Sequence, residues 1–173
     1  MRRIVACIAL LLVAAMVVSA QTAPGTDKKS QGVGRWTLDK AKSDFGKTPP
    51  PRRASLHVTE SSADRISYTY TEVDAKGKTY KDSWSGKPDG SMRPSETVPP
   101  GSSQASFRWE GDTLMAEFKD DKGMEAQERI TFSEDGRTMN VERTAKGPEG
   151  ESKSTQVWRK KGAAKGKPAA KGE

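Results

Sequence analysis

The stretch ASFRWEGDTLMAEF, residues 105–118, holds two short runs in which apolar and polar side chains alternate. A period of two places alternate side chains on opposite faces of a β-strand. Between the runs lies Glu110-Gly111-Asp112, a turn sequence in which glycine can adopt a positive φ without strain. Residues 105–118 therefore predict a β-hairpin with one apolar and one polar face.

The same pattern repeats on both sides of this hairpin, so it decides the fold class. Short alternating runs extend from Gly34 to Trp158, and turn sequences separate them at 74–77, 88–90, 120–123, 135–136 and 147–150. Eight or nine short strands joined by tight turns predict an all-β antiparallel meander. Closing the meander would hide its edge strands, so we expect a barrel or a half-open barrel.

Two segments do not follow the pattern of short strands joined by tight turns. Residues 91–103 contain Pro94, Pro99 and Pro100. Proline cannot donate to a strand ladder, so this segment is predicted to be a long loop rather than a central strand. Residues 39–45 are predicted to form one helical turn after the first strand.

The two ends of the chain differ from the body between them. Residues 1–20 have a positive start, an apolar run over 4–18 and small residues before Gln21, which is the order of a cleavable secretory signal. We therefore expect a secreted or periplasmic protein. The predicted division is a signal peptide at 1–20, a flexible leader at 21–32, a β domain at 33–160 and a basic disordered tail at 161–173. Cys7, the only cysteine, lies in the signal segment.

The net charge of +7 is concentrated near the chain ends. Residues 21–158 carry equal numbers of acidic and basic side chains, so the body has no basic excess that would predict nucleic-acid binding. The tail carries four lysines, and these predict either attachment to an anionic envelope surface or a merely solvated segment: Lys161, Lys165, Lys167 and Lys171.

The start of the β domain carries a recognisable order of residues. Gly34-Arg35-Trp36 and Leu38 lie in the first strand, and Lys42-Ser43-Asp44-Phe45 and Pro49-Pro50-Pro51 follow. This order resembles that of small exported bacterial lipocalin-like proteins, whose first strand begins Gly-x-Trp. The resemblance covers most of residues 33–160 and implies a β-barrel that binds a small molecule. It also implies structural roles for Gly34, Trp36 and Arg159, with Arg159 packed on Trp36 at the end of the last strand.

Aromatic side chains recur on the predicted inward faces of the strands. The candidates for ligand contact among them are Tyr68, Tyr70, Tyr80, Trp84 and Trp109. Such residues usually form the core of a β domain, and that interpretation is favoured here. The alternative is a cavity in which the rings stack on a flat or sugar-like ligand.

Charged residues interrupt the inward pattern at Asp82, Glu128 and Arg143. A buried charge is costly unless it is paired. Either these side chains face solvent at the barrel rim or the strand phase is shifted at a bulge, which are the favoured interpretations, or they form a paired polar cluster inside. An interior cluster would fix the polar group of a ligand, so Glu128 and Arg143 join the candidate binding residues.

These patterns lead to three hypotheses about function. The first is an exported, non-enzymatic protein that binds a small, partly apolar ligand. The second is a structural or interaction domain held at an anionic envelope surface by its lysine-rich tail. The third, ranked last, is a hydrolase that uses carboxylates, although the recurring acidic pairs lie at predicted turns. His57, the only histidine, lies on the polar side of its strand, so no metal site, cofactor or catalytic residue is predicted.

We expect a chain that ends at Lys161 to fold as the full chain does but to bind anionic vesicles less tightly. Residues 162–173 contain no large apolar side chain, so their removal loses little burial. The lysines removed carry a positive field that salt screens over about 8 to 10 Å. Thermal midpoints and vesicle co-sedimentation at low and physiological salt measure the two effects. Earlier unfolding would contradict the domain boundary, and equal binding would contradict the role of the tail.

Overall fold

The computed structural model of the protein describes residues 28–99, 101, 103–148 and 150–162. In this part of the chain ten strands form a closed antiparallel barrel, and each strand pairs with the next along the chain. The strands are β1 (Gly34–Leu38), β2 (Arg53–Ser61), β3 (Ile66–Val73), β4 (Thr79–Gly86), β5 (Arg93–Val98), β6 (Ser103–Glu110), β7 (Thr113–Asp120), β8 (Glu125–Phe132), β9 (Thr138–Gly147) and β10 (Gly150–Lys160). Two 3-10 helices, Ser30–Gly32 and Lys40–Lys42, flank β1. Across the described ranges, no helix is both long and apolar enough to cross a membrane.

Strand β1 closes the barrel because it pairs on both sides. Its register with β10 places Trp36 opposite Lys160 and Leu38 opposite Trp158. Its register with β2 places Trp36 opposite Leu56. The prediction of an all-β antiparallel barrel is confirmed, and the barrel is closed rather than half-open. The signal segment at 1–20, the leader up to residue 27 and tail residues 163–173, with Lys165, Lys167 and Lys171, lie outside the described residues.

The hairpin predicted from residues 105–118 is formed by β6 and β7. Glu110 pairs with Thr113 beside the turn, and Gly111 has a φ of 61°. That backbone conformation is one that glycine adopts without a steric cost. The alternation read from the sequence therefore turns one face of this hairpin toward the barrel interior.

The segment predicted as a loop, residues 91–103, contains strand β5, so that prediction is wrong and the strand count is ten rather than eight or nine. β5 pairs with β4 only through residues 96–98 and with β6 only through residues 93–95. Each half of the strand therefore has one side without a ladder partner. Proline is tolerated in such a strand because its missing N–H can face the unpaired side. Pro94 lies in the half that lacks a partner on β4.

Large apolar side chains concentrate at the end of the barrel where β1 begins and β10 ends, here called the closed end. Trp36 is fully buried, and its ring lies 6.0 Å from that of Phe132. The ring of Trp84 packs 4.6 Å from that of Phe107. Aromatic pairs at these separations add to the stabilisation from burial, so the closed end is the packed core of the domain.

The basic residue that covers Trp36 is Lys160, and the expected contact with Arg159 is wrong. Lys160 Nζ lies 5.1 Å from the centroid of the Trp36 ring. The physical reason is register, because Lys160 is the direct partner of Trp36 whereas Arg159 is opposite Thr37 and so lies on the other face of the sheet. On that outer face, Arg159 Nε lies 3.3 Å from Asp39 Oδ2.

Gly34 makes room for this contact. Its φ is 134°, a conformation that favours glycine, and a Cβ built there would lie 2.9 Å from Lys160 Cε. Lys160 Nζ passes this point and donates a hydrogen bond to the Gln31 carbonyl at 2.8 Å. Gly34 therefore leaves the space, and Trp36 provides the ring, for the same side chain, Lys160 of β10.

We expect Trp36→Ala to lower the free energy of unfolding by about 3 to 5 kcal/mol, the range for large aromatic truncations in a core. The variant removes the most enclosed large side chain of the described residues and the hydrogen bond that Trp36 Nε1 donates to the Gly32 carbonyl at 2.8 Å. Urea denaturation followed by circular dichroism measures the change. Val98→Ala is the control, since Val98 is 57% exposed and a surface truncation should cost within about 0.5 kcal/mol. Equal stability of the two variants would contradict the assignment of Trp36 to the core.

Candidate ligand-binding cavity

The barrel encloses a cavity of about 630 Å³, whose lining runs from Gly32 and Phe132 at the closed end to Tyr80 and Val98 at the opposite end. Its wall is built from inward side chains of strands around the barrel, together with residues of the connection between β1 and β2. Aliphatic and aromatic groups make up most of this wall, among them Leu56, Val58, Ile130, Val141 and Trp158.

The first 3-10 helix blocks the closed end of the cavity. A Cβ on Gly32 would lie 2.5 Å from Ser61 Oγ and 3.3 Å from Phe132 Cζ, so the helix backbone is seated directly on the strand ends. Ser61 Oγ donates a hydrogen bond to the Lys29 carbonyl. Because Trp36 and Lys160 also bond to carbonyls of this segment, side chains from both ends of the domain fix it in place.

The opposite end of the barrel, where β1 ends and β10 begins, is here called the mouth. Three large apolar side chains that line the cavity are exposed there: Tyr80 at 37%, Val98 at 57% and Met124 at 44%. They stand at or next to the β3–β4, β5–β6 and β7–β8 connections. Phe45 and Pro49 add further apolar surface from the β1–β2 connection. The rim of the mouth is therefore apolar on several sides.

The inner face of the β3–β4 hairpin carries tyrosines and carboxylates side by side. Tyr68 donates a hydrogen bond from its hydroxyl to Asp82 Oδ2 at 2.7 Å, and Tyr70 donates one to Glu72 Oε2. Burial raises the pKa of both tyrosines well above 10, and the neighbouring carboxylates, Asp82 and Glu72 respectively, raise it further. Both hydroxyls therefore remain protonated donors at neutral pH. Tyr80 lies two residues before Asp82 on the same face.

Asp82 is a partly buried carboxyl group with incomplete hydrogen bonding. Burial raises the pKa of its carboxyl group, and hydrogen bonding from the hydroxyls of Tyr68 and Ser95 only partly opposes the rise. The contact with Ser95 lacks good hydrogen-bond geometry, so Asp82 Oδ1 is enclosed without a well-formed hydrogen bond among the described residues. An enclosed, poorly compensated carboxylate costs stability when it is ionised.

Glu128 and Arg143 form an ion pair inside the barrel, and the favoured prediction that they stand at a solvent-facing rim is wrong. Arg143 Nη1 lies 2.5 Å from Glu128 Oε1, and their side chains are 30% and 14% exposed. The two residues are direct partners across β8 and β9, and both line the cavity. Pairing register thus brings an inward acid and an inward base together, which reduces the cost of enclosing both.

Five of the seven ligand-binding candidates from the sequence line the cavity: Tyr68, Tyr70, Tyr80, Glu128 and Arg143. The other two lie at the closed end, outside its lining. Trp84 is buried against Phe107, and Trp109 donates from Nε1 to the Ser62 carbonyl at 2.9 Å. A ligand role for the five residues stays a prediction.

Glu72 and Asp82 belong to the cavity wall but were not among the candidates for ligand contact. Glu72 lies two residues after Tyr70, so strand alternation predicts that both side chains are on the same inward face. The sequence places Asp82 as an interruption of the inward pattern, with the barrel rim as its favoured location, but Asp82 lines the interior, as Glu128 does.

A solved structure with a TM-score of 0.50 supports the barrel fold. No protein-family model and no curated protein sequence matches the chain. A variant of the fluorescent protein UnaG is 15% identical, with a TM-score of 0.50 over 76% of this chain and 96% of the other. Zebrafish ileal bile acid-binding protein, solved with cholic acid, is 16% identical with a TM-score of 0.49 over 76% of this chain and 99% of the other. A fatty acid-binding protein from Drosophila melanogaster brain tissue is 21% identical with a TM-score of 0.44 over 73% of this chain and 98% of the other. At these identities the similarity concerns the barrel fold alone.

We expect Asp82→Asn to raise the thermal midpoint by a few degrees at pH 7. A carboxyl whose pKa is raised in the folded state binds protons more tightly there than in the unfolded chain, so its stability contribution is lost as pH rises through the folded pKa. The gain should therefore shrink toward pH 4, near the pKa of an unfolded aspartate at about 3.9. Differential scanning calorimetry from pH 4 to 8 measures it, with the exposed Asp64→Asn as control. A gain that does not change with pH, or a loss at pH 7, would contradict the enclosure of Asp82.

Proposed function

We propose that the protein is a non-enzymatic binding protein that holds a small, mainly apolar molecule inside its barrel. The observation that supports this is the cavity of about 630 Å³ that runs inside the barrel from the first 3-10 helix to the mouth. Sites for small molecules are typically concave spaces of about 300 to 1,000 Å³ with apolar walls and a few polar groups that orient the ligand.

The distribution of polar groups supports an ordered binding mode. The closed end and most of the wall are apolar, whereas Asp82, Glu128 and Arg143 form a polar band partway between the closed end and the mouth. An apolar part of the ligand would fill the space beside the wall, and a polar group would meet this band. Burying the apolar part contributes about 25 cal/mol per Å² removed from water.

The mouth supports a route for such a molecule. Tyr80, Val98 and Met124 line the cavity and are also exposed at the rim. Exposed apolar groups that continue into a cavity commonly mark a binding groove. An apolar ligand entering between them would keep contact with apolar surface along its path.

Export is part of the proposal, and it is supported by the order of charge, apolar run and small residues in residues 1–20. The protein for the binding experiment is therefore isolated from the exported fraction. Its mass shows whether the chain begins at Gln21. A chain that still carries Met1 in that fraction would contradict removal of the signal.

The binding proposal predicts that N-phenyl-1-naphthylamine, a neutral apolar dye, gains fluorescence when it is titrated into the protein. Ser154 lies on the cavity wall, and Lys153 is its neighbour on the outer face of β10. Ser154→Trp should fill part of the cavity and weaken dye binding at least tenfold. Lys153→Trp adds the same side chain outside the barrel and should leave the affinity within twofold of the unmodified protein.

The paired variants separate cavity binding from adsorption to the surface. Equal weakening by both, or by neither, would contradict a ligand site inside the barrel. Circular dichroism spectra and thermal midpoints of both variants show whether each is folded, so that a loss of binding is assigned to the filled cavity only in a folded protein.

A further inference from the structure

We propose that the ligand carries a positively charged amine, held at the inner face of the β3–β4 hairpin by the carboxylates of Asp82 and Glu72. This inference rests on the proposed function, since it names the chemical class of the molecule that the cavity takes. The charges, the aromatic rings and the strand register of the cavity wall support this inference.

The charges that face the interior are unbalanced in favour of acids. Among the inward-facing strand residues that line the cavity, four are carboxylates, Glu72, Asp82, Asp120 and Glu128, and one is a cation, Arg143. Asp120 also serves the β7–β8 turn, where its Oδ1 accepts backbone hydrogen bonds from residues 122 and 124. Arg143 compensates Glu128 at 2.5 Å. Glu72 and Asp82 remain, and neither forms an ion pair within the described residues.

Two lysines also reach the cavity lining, but from the outer faces of their strands. Lys119 Nζ lies 2.8 Å from Glu125 Oε1 and its side chain is half exposed. Lys81 alternates with the inward Tyr80 and Asp82 and is exposed. Both therefore belong to the mouth, and the Asp82 carboxylate keeps only uncharged hydroxyl neighbours as hydrogen-bond donors.

Pairing register places the two uncompensated carboxylates close together. Asp82 is directly opposite Tyr70, and Glu72 is directly opposite Tyr80. Asp82 and Glu72 are therefore diagonal neighbours on one face, a relation that puts their Cα atoms about 7 to 8 Å apart. An ammonium group between them can approach both, because ammonium carries up to three hydrogen-bond donors.

The aromatic rings around these two carboxylates are also suited to binding an ammonium group. All three tyrosines of the chain, Tyr68, Tyr70 and Tyr80, line the cavity on this hairpin. Lys78 Nζ already lies 4.9 Å from the centroid of the Tyr80 ring, so Tyr68 and Tyr70 are the rings that face the ligand. The faces of aromatic rings attract cations, and sites that combine several rings are a common means of binding amines and quaternary ammonium groups. A bound cation would also offset the desolvation of Asp82, whose Oδ1 lacks a well-formed hydrogen bond.

An acidic ligand fits this wall less well. Arg143 is the inward cation that would meet it, and that guanidinium is already paired with Glu128. A ligand carboxylate at Arg143 would have to compete with Glu128 while the charges of Glu72 and Asp82 repel it. The net charge of the chain, +7, would by itself favour an anion, so a preference for a cation has to come from the cavity.

The experiment compares three probes with the same twelve-carbon chain: dodecylammonium, dodecanoate and dodecan-1-ol. Each displaces N-phenyl-1-naphthylamine from the full chain at pH 7, below its micelle concentration. We expect dodecylammonium to bind at least tenfold more tightly than dodecanoate. Asp82→Asn combined with Glu72→Gln should reduce this preference to less than threefold and leave dodecan-1-ol within twofold.

Glu96→Gln is the control because it removes a carboxylate from an exposed position on β5, and it should leave the preference unchanged. The single variants Asp82→Asn and Glu72→Gln, each expected to reduce the preference, replace the double variant if it does not fold. Dodecanoate binding as tightly as dodecylammonium, or a preference that survives loss of both carboxylates, would overturn the inference. If dodecan-1-ol and the dye bind while the ammonium has no advantage, only the cation assignment fails. If no probe and no dye binds, the proposed function itself fails.

Discussion

The pairing of β1 with β10 is the constraint on which the rest of the structure depends. β1 has five residues, yet it pairs with β2 on one side and β10 on the other. This closure removes the exposed edges that would otherwise bind other chains. It also fixes which faces turn inward, because a slip of one residue would turn Trp36 out of the core. The contact of Lys160 with the Trp36 ring, in the space left by Gly34, supports the register at this seam.

The interior of the closed barrel is more crowded at the closed end than at the mouth. Tryptophan and phenylalanine rings pack the closed end, and the first 3-10 helix covers it. Toward the mouth the inward side chains include serines and alanines, such as Ser152, Ser154 and Ala145, which leave space. A barrel of this size can enclose one small ligand when its side chains do not fill it. The cavity is therefore a consequence of where large and small inward residues stand along the strands.

Charged side chains inside the barrel interact with residues of the same hairpin or with the residue directly opposite on the next strand. Tyr68 and Tyr70 donate to the two acids of their own hairpin, while Glu128 is neutralised by the residue opposite it. Hydroxyl donors stabilise a carboxylate without cancelling its charge, whereas a guanidinium does both. The β3–β4 wall is consequently electronegative and the β8–β9 wall is close to neutral. This difference gives the cavity an asymmetry that a ligand with one polar end can use.

The sequence by itself determined the fold class, the turns, most of the strands and which side chains share a face, because alternation with a period of two is a property of each strand alone. It did not predict β5, whose single proline, Pro94, is tolerated because each half of that strand pairs on one side only. Nor did it show that Trp84 and Trp109 lie outside the cavity lining while the tyrosines lie within it. Alternation tells which face a side chain is on but not how far along the barrel axis it lies. Only the tertiary structure decided that Glu128 meets Arg143, that Lys160 rather than Arg159 covers Trp36, and that Asp82 and Glu72 are neighbours. Those relations depend on the register between strands, which the barrel sets through long-range pairing and which no single strand encodes.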